Sequence, residues 1–225
     1  MRILYLIADL YDGDGAVREA LEAGVDYVQL REKNITSAKY LEDAMHMRKL
    51  TDYYNEKYSR DTKFIVNDRI DIALLSCADG VHLGADDVPV SMARKMFDGL
   101  AGTGNRTEGK QRGSFIIGAT AKTVEQAVAA QHDGADYIGT GAFNMTATKP
   151  DAKAITPELY KQILAAVSIP DVAVGGITVD NCRIPLSCGA DGLAVSAGIL
   201  KSSDVKKSVI DFRKILNSES TAQQL

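Results

Sequence analysis

Short, nearly unbroken apolar runs recur along the chain at residues 3–8, 27–30, 64–66, 80–83, 115–118, 137–139, 172–174 and 193–195. They do not alternate with polar positions, which is the pattern of strands covered on both faces. Between them, apolar residues recur three and four positions apart in 16–23, 38–50, 72–75, 90–97, 124–130, 159–167 and 205–216. That spacing predicts amphipathic helices. The stretch 181–187 is the weakest, because Pro185 lacks a backbone donor and limits it to a turn or two. The pattern therefore predicts eight strands, each followed by a helix.

A second regularity lies over the first. Related small-residue turns, AGVDY at 23–27, CADGV at 77–81, DGADY at 133–137 and CGADG at 188–192, precede the second, fourth, sixth and eighth strands. A Gly or Ala ends a helix at little cost, and an Asp can hydrogen-bond the turn into the next strand. Two strand–helix units repeated four times predict an α/β chain closed into a single-domain (β/α)8 TIM barrel over residues 1–217, with a polar tail at 218–225. An open doubly wound sheet is the alternative, and eight even units favour closure. The polar, Gly-rich segment 99–114 is expected to be a surface excursion before strand five.

Composition narrows the function classes. A formal charge of −4 argues against a nucleic-acid partner, so any anion must be held by a local arrangement. No apolar run reaches the roughly 18 residues of a membrane span. The opening MRILYLIADL reads as the first strand and not as a signal peptide. Cys77, Cys182 and Cys188 are odd in number and lack a paired-ligand spacing, which predicts buried, reduced thiols and a cytoplasmic location. A homo-oligomer is left open by the sequence.

In a barrel of this kind the chemistry sits at the C-terminal ends of the strands. Strand two ends in Gln29-Leu30-Arg31-Glu32-Lys33 and strand three in Asn67-Asp68-Arg69. Strand four leads to Gly84 and Asp87, strand five to Thr120, and strand six to Thr146-Ala147-Thr148-Lys149. Strands seven and eight lead to Gly175-Gly176 and Val195-Ser196-Ala197. Arg31, Lys33 and Lys149 are cations suited to a polyanion. Asp68 and Asp87 suit a Mg2+ ion that bridges them to a pyrophosphate. The last two loops suit a phosphate bound by backbone N–H groups. Two anionic small-molecule ligands are therefore expected, with 146–149 between them.

The motifs QLREK at 29–33, NDR at 67–69, DGVHLG with Asp87, TATKPDA at 146–152 and GGIT at 175–178 resemble those of the thiamine-phosphate synthase family. The resemblance spans nearly the whole chain. It implies a transferase of thiamine biosynthesis on a (β/α)8 barrel. Such an enzyme joins hydroxymethylpyrimidine pyrophosphate to thiazole phosphate, and pyrophosphate leaves by a dissociative, magnesium-assisted step. By position, the resemblance implies that Gln29 to Lys33, Asn67 and Thr120 hold the pyrimidine pyrophosphate, with Leu30 and Glu32 inside that stretch and the Glu32 side chain structural. Asp68 and Asp87 would bind Mg2+. Arg31, Lys33 and Lys149 would be catalytic, stabilising the departing pyrophosphate. Thr146, Ala147 and Thr148 would meet the thiazole substrate, and Gly176, Val195, Ser196 and Ala197 its phosphate. Three departures stand out: Thr120 replaces the family's usual serine, residues 141–146 lack its prolines, and Ala197 falls where a serine is usual.

The same residues have plainer explanations. Asp68 and Asp87 would suit helix caps, Arg31 and Lys33 would suit an exposed charge pair with Glu32, and Lys149 would suit a loop. His82 is expected to be a packed, hydrogen-bonded core residue, and His46 and His132 helix-surface residues. A thiazole tautomerase of the same superfamily is the nearest competing enzyme, but it uses a histidine where this chain has Lys122. A non-catalytic phosphate binder would lack the pyrophosphate ligands, and here they are present.

Overall fold

The computed structural model describes residues 2–101, 115–143 and 155–222. The strands are β1 (Ile3–Ala8), β2 (Tyr27–Leu30), β3 (Lys63–Asn67), β4 (Gly80–Leu83), β5 (Ile116–Ala121), β6 (Tyr137–Gly141), β7 (Asp171–Val174) and β8 (Gly192–Val195). They are parallel and close in sequence order, because β1 pairs with both β2 and β8. The helices are α1 (Gly15–Ala23), α2 (Ser37–Tyr58), α3 (Ile70–Leu75), α4 (Val90–Ala101), α5 (Val124–His132), α6 (Pro157–Ala165), α7 (Arg183–Ser187), α8 (Ala197–Leu200) and α9 (Val205–Ala222). The expected closed (β/α)8 barrel is thus the observed fold.

Several boundaries differ from those expected. Helix α2 runs past residue 50 to Tyr58, where Ser59 adopts a left-handed conformation and its N–H returns to Asn55 O and Glu56 O. Strand β5 continues through Ala121, so Thr120 lies within the strand and not after it. A short helix, α8, intervenes between β8 and α9. Helix α9 continues to Ala222, into the expected tail. Residues 99–101 of the expected 99–114 excursion belong instead to α4, and 102–114 lie outside the described residues.

Two apolar layers follow from the period-two alternation of each strand. One face packs under the helices, with Leu4, Leu6, Val28, Leu30, Phe64, Val66, Val81, Leu83, Leu193 and Val195 buried. The other fills the barrel, with Tyr5, Ile65, Tyr137, Val172 and Ala194 at its centre. Large rings fit inside because neighbouring strands carry glycine at inward positions. A Cβ on Gly118 would stand 2.1 Å from Tyr137 Cζ, and one on Gly139 would stand 3.0 Å from His82 Cε1.

The fourfold turn repeat has a structural explanation. Asp26, Asp79, Asp136 and Asp191 each turn a carboxylate Oδ2 to the first part of the preceding odd-numbered strand. They accept from the N–H of Leu4 at 2.8 Å, Phe64 at 2.8 Å, Ile117 at 2.7 Å and Asp171 at 3.0 Å. The bond therefore runs backward to a neighbouring strand, and not forward into the next one as the sequence suggested. Three of these carboxylates also hold a guanidinium at 2.6 Å: Arg213 on Asp26, Arg48 on Asp79 and Arg94 on Asp136. The repeat closes the floor of the barrel, the end opposite the loops that carry the candidate chemistry.

Candidate active site

Inward parity along the strands decides which side chains reach the mouth. Gln29 follows Tyr27 on the inner face of β2, Arg31 keeps the same parity one residue past its end, and Asn67 follows Ile65 on β3. Leu30 and Val195 point the other way, into the layer under the helices. They can serve a ligand only through their backbone.

The QLREK segment is held from three sides. The Tyr40 hydroxyl on α2 reaches Leu30 O at 3.0 Å and Asn67 O at 2.9 Å, so one phenol ties the ends of β2 and β3. Leu10 N–H donates to Glu32 Oε1 at 2.9 Å. The Tyr11 hydroxyl meets both the carbonyl and the N–H of Lys33. Glu32 is buried, and burial raises its pKa. Its Oε1 helps to fix the backbone between Arg31 and Lys33. Arg31 is half-buried and Lys33 exposed.

Asp68 follows β3 with φ at 62°, a left-handed conformation that Asp tolerates better than most residues and that often marks a functional turn. Its N–H donates to His82 O at 2.9 Å, which anchors it to β4. Asp68 does not cap α3, whose N-cap is Arg69 and has no side-chain cap bond. Arg69 itself turns away, to Asp71 at 2.8 Å and Ser37 at 3.1 Å. Asp87 folds back so that Oδ2 accepts from Gly84 N–H at 2.7 Å. The Asp68 and Asp87 carboxyls lie close enough to act on each other. Burial first, and then Asp87, push Asp68 up to about 6, while Arg31 pulls it down. Two carboxyls forced together beside a guanidinium form a site that a divalent cation would relieve.

That donor set fits magnesium. Mg2+ keeps several waters and takes one or two carboxylates along with phosphate oxygens. Among the described residues no group of three or more His, Cys, Asp and Glu side chains is placed to hold a metal. A protein cage for a softer ion is therefore absent from the described residues.

Across the barrel, Gly175 and Gly176 take φ of 104° and 63°, which side-chain-bearing residues rarely adopt. Asn181 secures this turn, its Nδ2 donating to Gly176 O at 2.8 Å and its Oδ1 accepting from Thr178 N–H at 2.9 Å. A Cβ on Gly198 would stand 2.5 Å from Ile177 O. Glycine there lets the Ser196-Ala197 turn pack against the β7 loop. Gly176, Ser196 and Ala197 are thereby brought to one side of the mouth. Backbone N–H groups at the start of α8 lack intrahelical partners and suit an anion.

Thr120 is on the inner face of β5, and its hydroxyl bonds His82 Nε2 at 3.0 Å. His82 was expected to be a packed, hydrogen-bonded core residue; it is hydrogen-bonded at both ring nitrogens but only half-buried. His46 is half-exposed with Nε2 at 2.6 Å from Asp14, and His132 is exposed. Thr146, Ala147, Thr148 and Lys149 lie outside the described residues. Sequence reasoning missed Tyr11 and Tyr40, which act at a distance in sequence. It also missed the link between His82 and Thr120, although their shared inward parity is a usable signal.

The thiamine monophosphate synthase family model matches residues 4–199. A thiamine-phosphate synthase from Pyrococcus abyssi is 40% identical over 215 residues, covering 95% of this chain and 94% of the relative. One from Clostridioides difficile is 39% identical over 211 residues, covering 92% and 91%. The solved structure of a thiamine phosphate pyrophosphorylase from Pyrococcus furiosus superposes with a TM-score of 0.80 at 36% identity, covering 96% of each chain.

Proposed function

The chain belongs to the thiamine monophosphate synthase family, and from that premise we propose that it is a magnesium-dependent thiamine-phosphate synthase. Its substrates would be hydroxymethylpyrimidine pyrophosphate and thiazole phosphate. Its products would be thiamine phosphate and pyrophosphate. The observation that carries this reading is the Asp68–Asp87 pair beside Arg31, set at the mouth of the barrel.

Bound Mg2+ would supply charge neutralisation for the departing pyrophosphate. Asp68 and Asp87 would hold it, each already oriented by a backbone bond. Arg31 and Lys33 would bind the pyrophosphate oxygens from a segment whose path Tyr11, Glu32 and Tyr40 fix. Lys149 would complete the cationic wall. In a dissociative step charge gathers on the leaving group, so cations fixed in advance favour the transition state. Gln29, Asn67 and Thr120 would orient the pyrimidine. Thr146 to Thr148 would meet the thiazole, with its phosphate against Gly176 and Ser196-Ala197. No general base is needed, because the attacking thiazole nitrogen carries no proton to lose.

A cytoplasmic location accords with three cysteines that form no disulfide. No helix among the described residues is long and apolar enough to cross a membrane. The deciding experiment mixes the purified protein with both substrates and a magnesium titration. Magnesium-dependent release of thiamine phosphate and pyrophosphate in equal amounts supports the proposal. Binding of both substrates without product would replace it with a binding role.

A further inference from the structure

A chain of hydrogen bonds crosses the barrel interior between two residues of the mouth. Gln29 Nε2 donates to the Tyr5 hydroxyl at 2.9 Å. The Tyr5 and Tyr137 hydroxyls are 2.8 Å apart. Tyr137 O–H lies 3.1 Å from His82 Nδ1, and His82 Nε2 lies 3.0 Å from Thr120 Oγ1. Both Tyr5 and Tyr137 are buried.

The two glycines noted above make this path possible. The Tyr137 ring occupies the space beside Gly118, and the His82 ring the space beside Gly139. Any larger residue at either position would displace a member of the chain. Phenols packed in an apolar interior must pair their hydroxyls, so the chain is under pressure to stay complete.

Proton counting gives the chain a direction. Tyr5 accepts from Gln29, so its own hydrogen goes to Tyr137. Tyr137 then spends its hydrogen on His82 Nδ1. A His82 Nδ1 that accepts from Tyr137 leaves the ring proton on Nε2, and that N–H donates to Thr120. Thr120 accepts on one side and is left to donate on the other, into the mouth. At the opposite end Gln29 has spent an N–H on Tyr5, which leaves Oε1 as its acceptor.

We infer that His82, oriented by Tyr137 and Tyr5, is a positioning residue that presents the Thr120 hydroxyl as a donor and Gln29 Oε1 as an acceptor to the substrate. The consequence for turnover rests on the reaction proposed above. A pyrimidine ring nitrogen accepts a hydrogen bond, and a Thr120 hydroxyl turned by His82 meets it with the right polarity. A hydroxyl free to point either way would favour that ring less. The chain also accounts for threonine at position 120. What is required there is a hydroxyl of fixed direction, and the added methyl does not interrupt the bond to His82.

Two measurements test this on the full-length protein. In protein labelled with 15N-histidine, long-range 1H–15N spectra near neutral pH should show His82 protonated at Nε2 and bare at Nδ1. His46 and His132 are the other two histidines, and His82→Gln assigns the signal by its loss. The opposite tautomer, or an imidazolium, would overturn the direction of the chain. This readout needs no substrate, so it stands even if the proposed reaction fails.

The second measurement is kinetic. His82→Leu should raise KM for the pyrimidine pyrophosphate about tenfold, the value of one directed hydrogen bond. KM for thiazole phosphate should change less than about twofold, because the chain does not reach its side of the mouth. His82→Gln, whose amide can accept from Tyr137 and donate to Thr120, should recover most of the loss. Tyr137→Phe should resemble His82→Leu, and the double variant should be no worse than either alone. Equal rises in both KM values, or a His82→Gln no better than His82→Leu, would reduce His82 to a packing residue and overturn the inference.

Discussion

The most informative stability test lies at the floor of the barrel, away from the mouth. Asp171 opens β7 and is fully buried. Its Oδ2 accepts from the Tyr160 hydroxyl on α6. Burial is the main cause that pushes its carboxyl up to about 7. Asp191 adds to the rise, while the Thr140 and Tyr160 hydroxyls oppose it. Thr140 stands near enough to ease the charge but outside hydrogen-bond geometry, because both Thr140 Oγ1 and Asp171 Oδ1 lack a partner among the described residues. In the unfolded chain the same carboxyl titrates near its ordinary 3.8. The folded state thus holds a proton that the unfolded state has lost between those two values. Stability from this group is fully present below about pH 4 and is lost as pH rises toward 7. The loss is bounded at about 4 kcal/mol, and local relaxation makes about 2 kcal/mol the practical expectation. Asp171→Asn carries no proton to lose, and its amide can donate to Thr140. Urea unfolding from pH 4 to pH 8 should show the wild-type midpoint falling by about 1 M relative to the variant. Every other ionisable group is common to the two proteins and cancels in the comparison. Parallel pH curves for the two proteins would refute the reasoning.

Four further outcomes follow from the same structure. Asp79→Ala leaves Phe64 N–H and Arg48 without their shared carboxylate, and should lower stability by about 2–3 kcal/mol by calorimetry while Asp79→Asn loses less. Gly118→Ala puts a methyl into the Tyr137 ring and should cost about 1–3 kcal/mol, with an unchanged melting temperature showing that the ring moves freely. Asp87→Ala should raise the magnesium concentration at half-maximal rate about tenfold or more, and an unchanged titration would remove Asp87 from the metal site. Lys149→Ala should cut kcat at least a hundredfold with little change in thiazole-phosphate KM, and normal turnover would end its leaving-group role.

The fold was legible because its signals are local and repeated. Buried parallel strands need no partner to look apolar, and a fourfold turn shows itself in the spacing of Asp26, Asp79, Asp136 and Asp191. What each Asp binds was not legible, because the acceptor's partner sits on another strand. The site divided the same way. Arg31, Asn67 and Asp68 occupy strand ends and could be read from position. Tyr40 could not, since its clamp on Leu30 O and Asn67 O depends on how α2 lies across two strands. Asp68 and Asp87 looked like helix caps one at a time. Burial raises Asp68 first, and the approach of Asp87 adds to that rise and marks the pair as a site. The end of β5 was misplaced because Gly118 and Ala119 resemble a turn, whereas in the barrel Gly118 is small to admit the Tyr137 ring.

The barrel interior therefore does more than fill space. An apolar core of leucine and valine would be simpler to stabilise, because each buried phenol or imidazole must find a partner or lose about 1–3 kcal/mol. Here Tyr5, Tyr137 and His82 satisfy one another, and the chain they form ends on Gln29 and Thr120 at the mouth. Replacing the interior hydroxyls by phenylalanine would remove those obligations, yet Thr120 and Gln29 would lose the groups that fix their direction. A Tyr5→Phe, Tyr137→Phe double variant should therefore fold while its KM for the pyrimidine substrate rises. Retained affinity in that protein would mean that mouth and interior are independent layers. A selective loss would make the polar interior part of the machinery that orients the substrate.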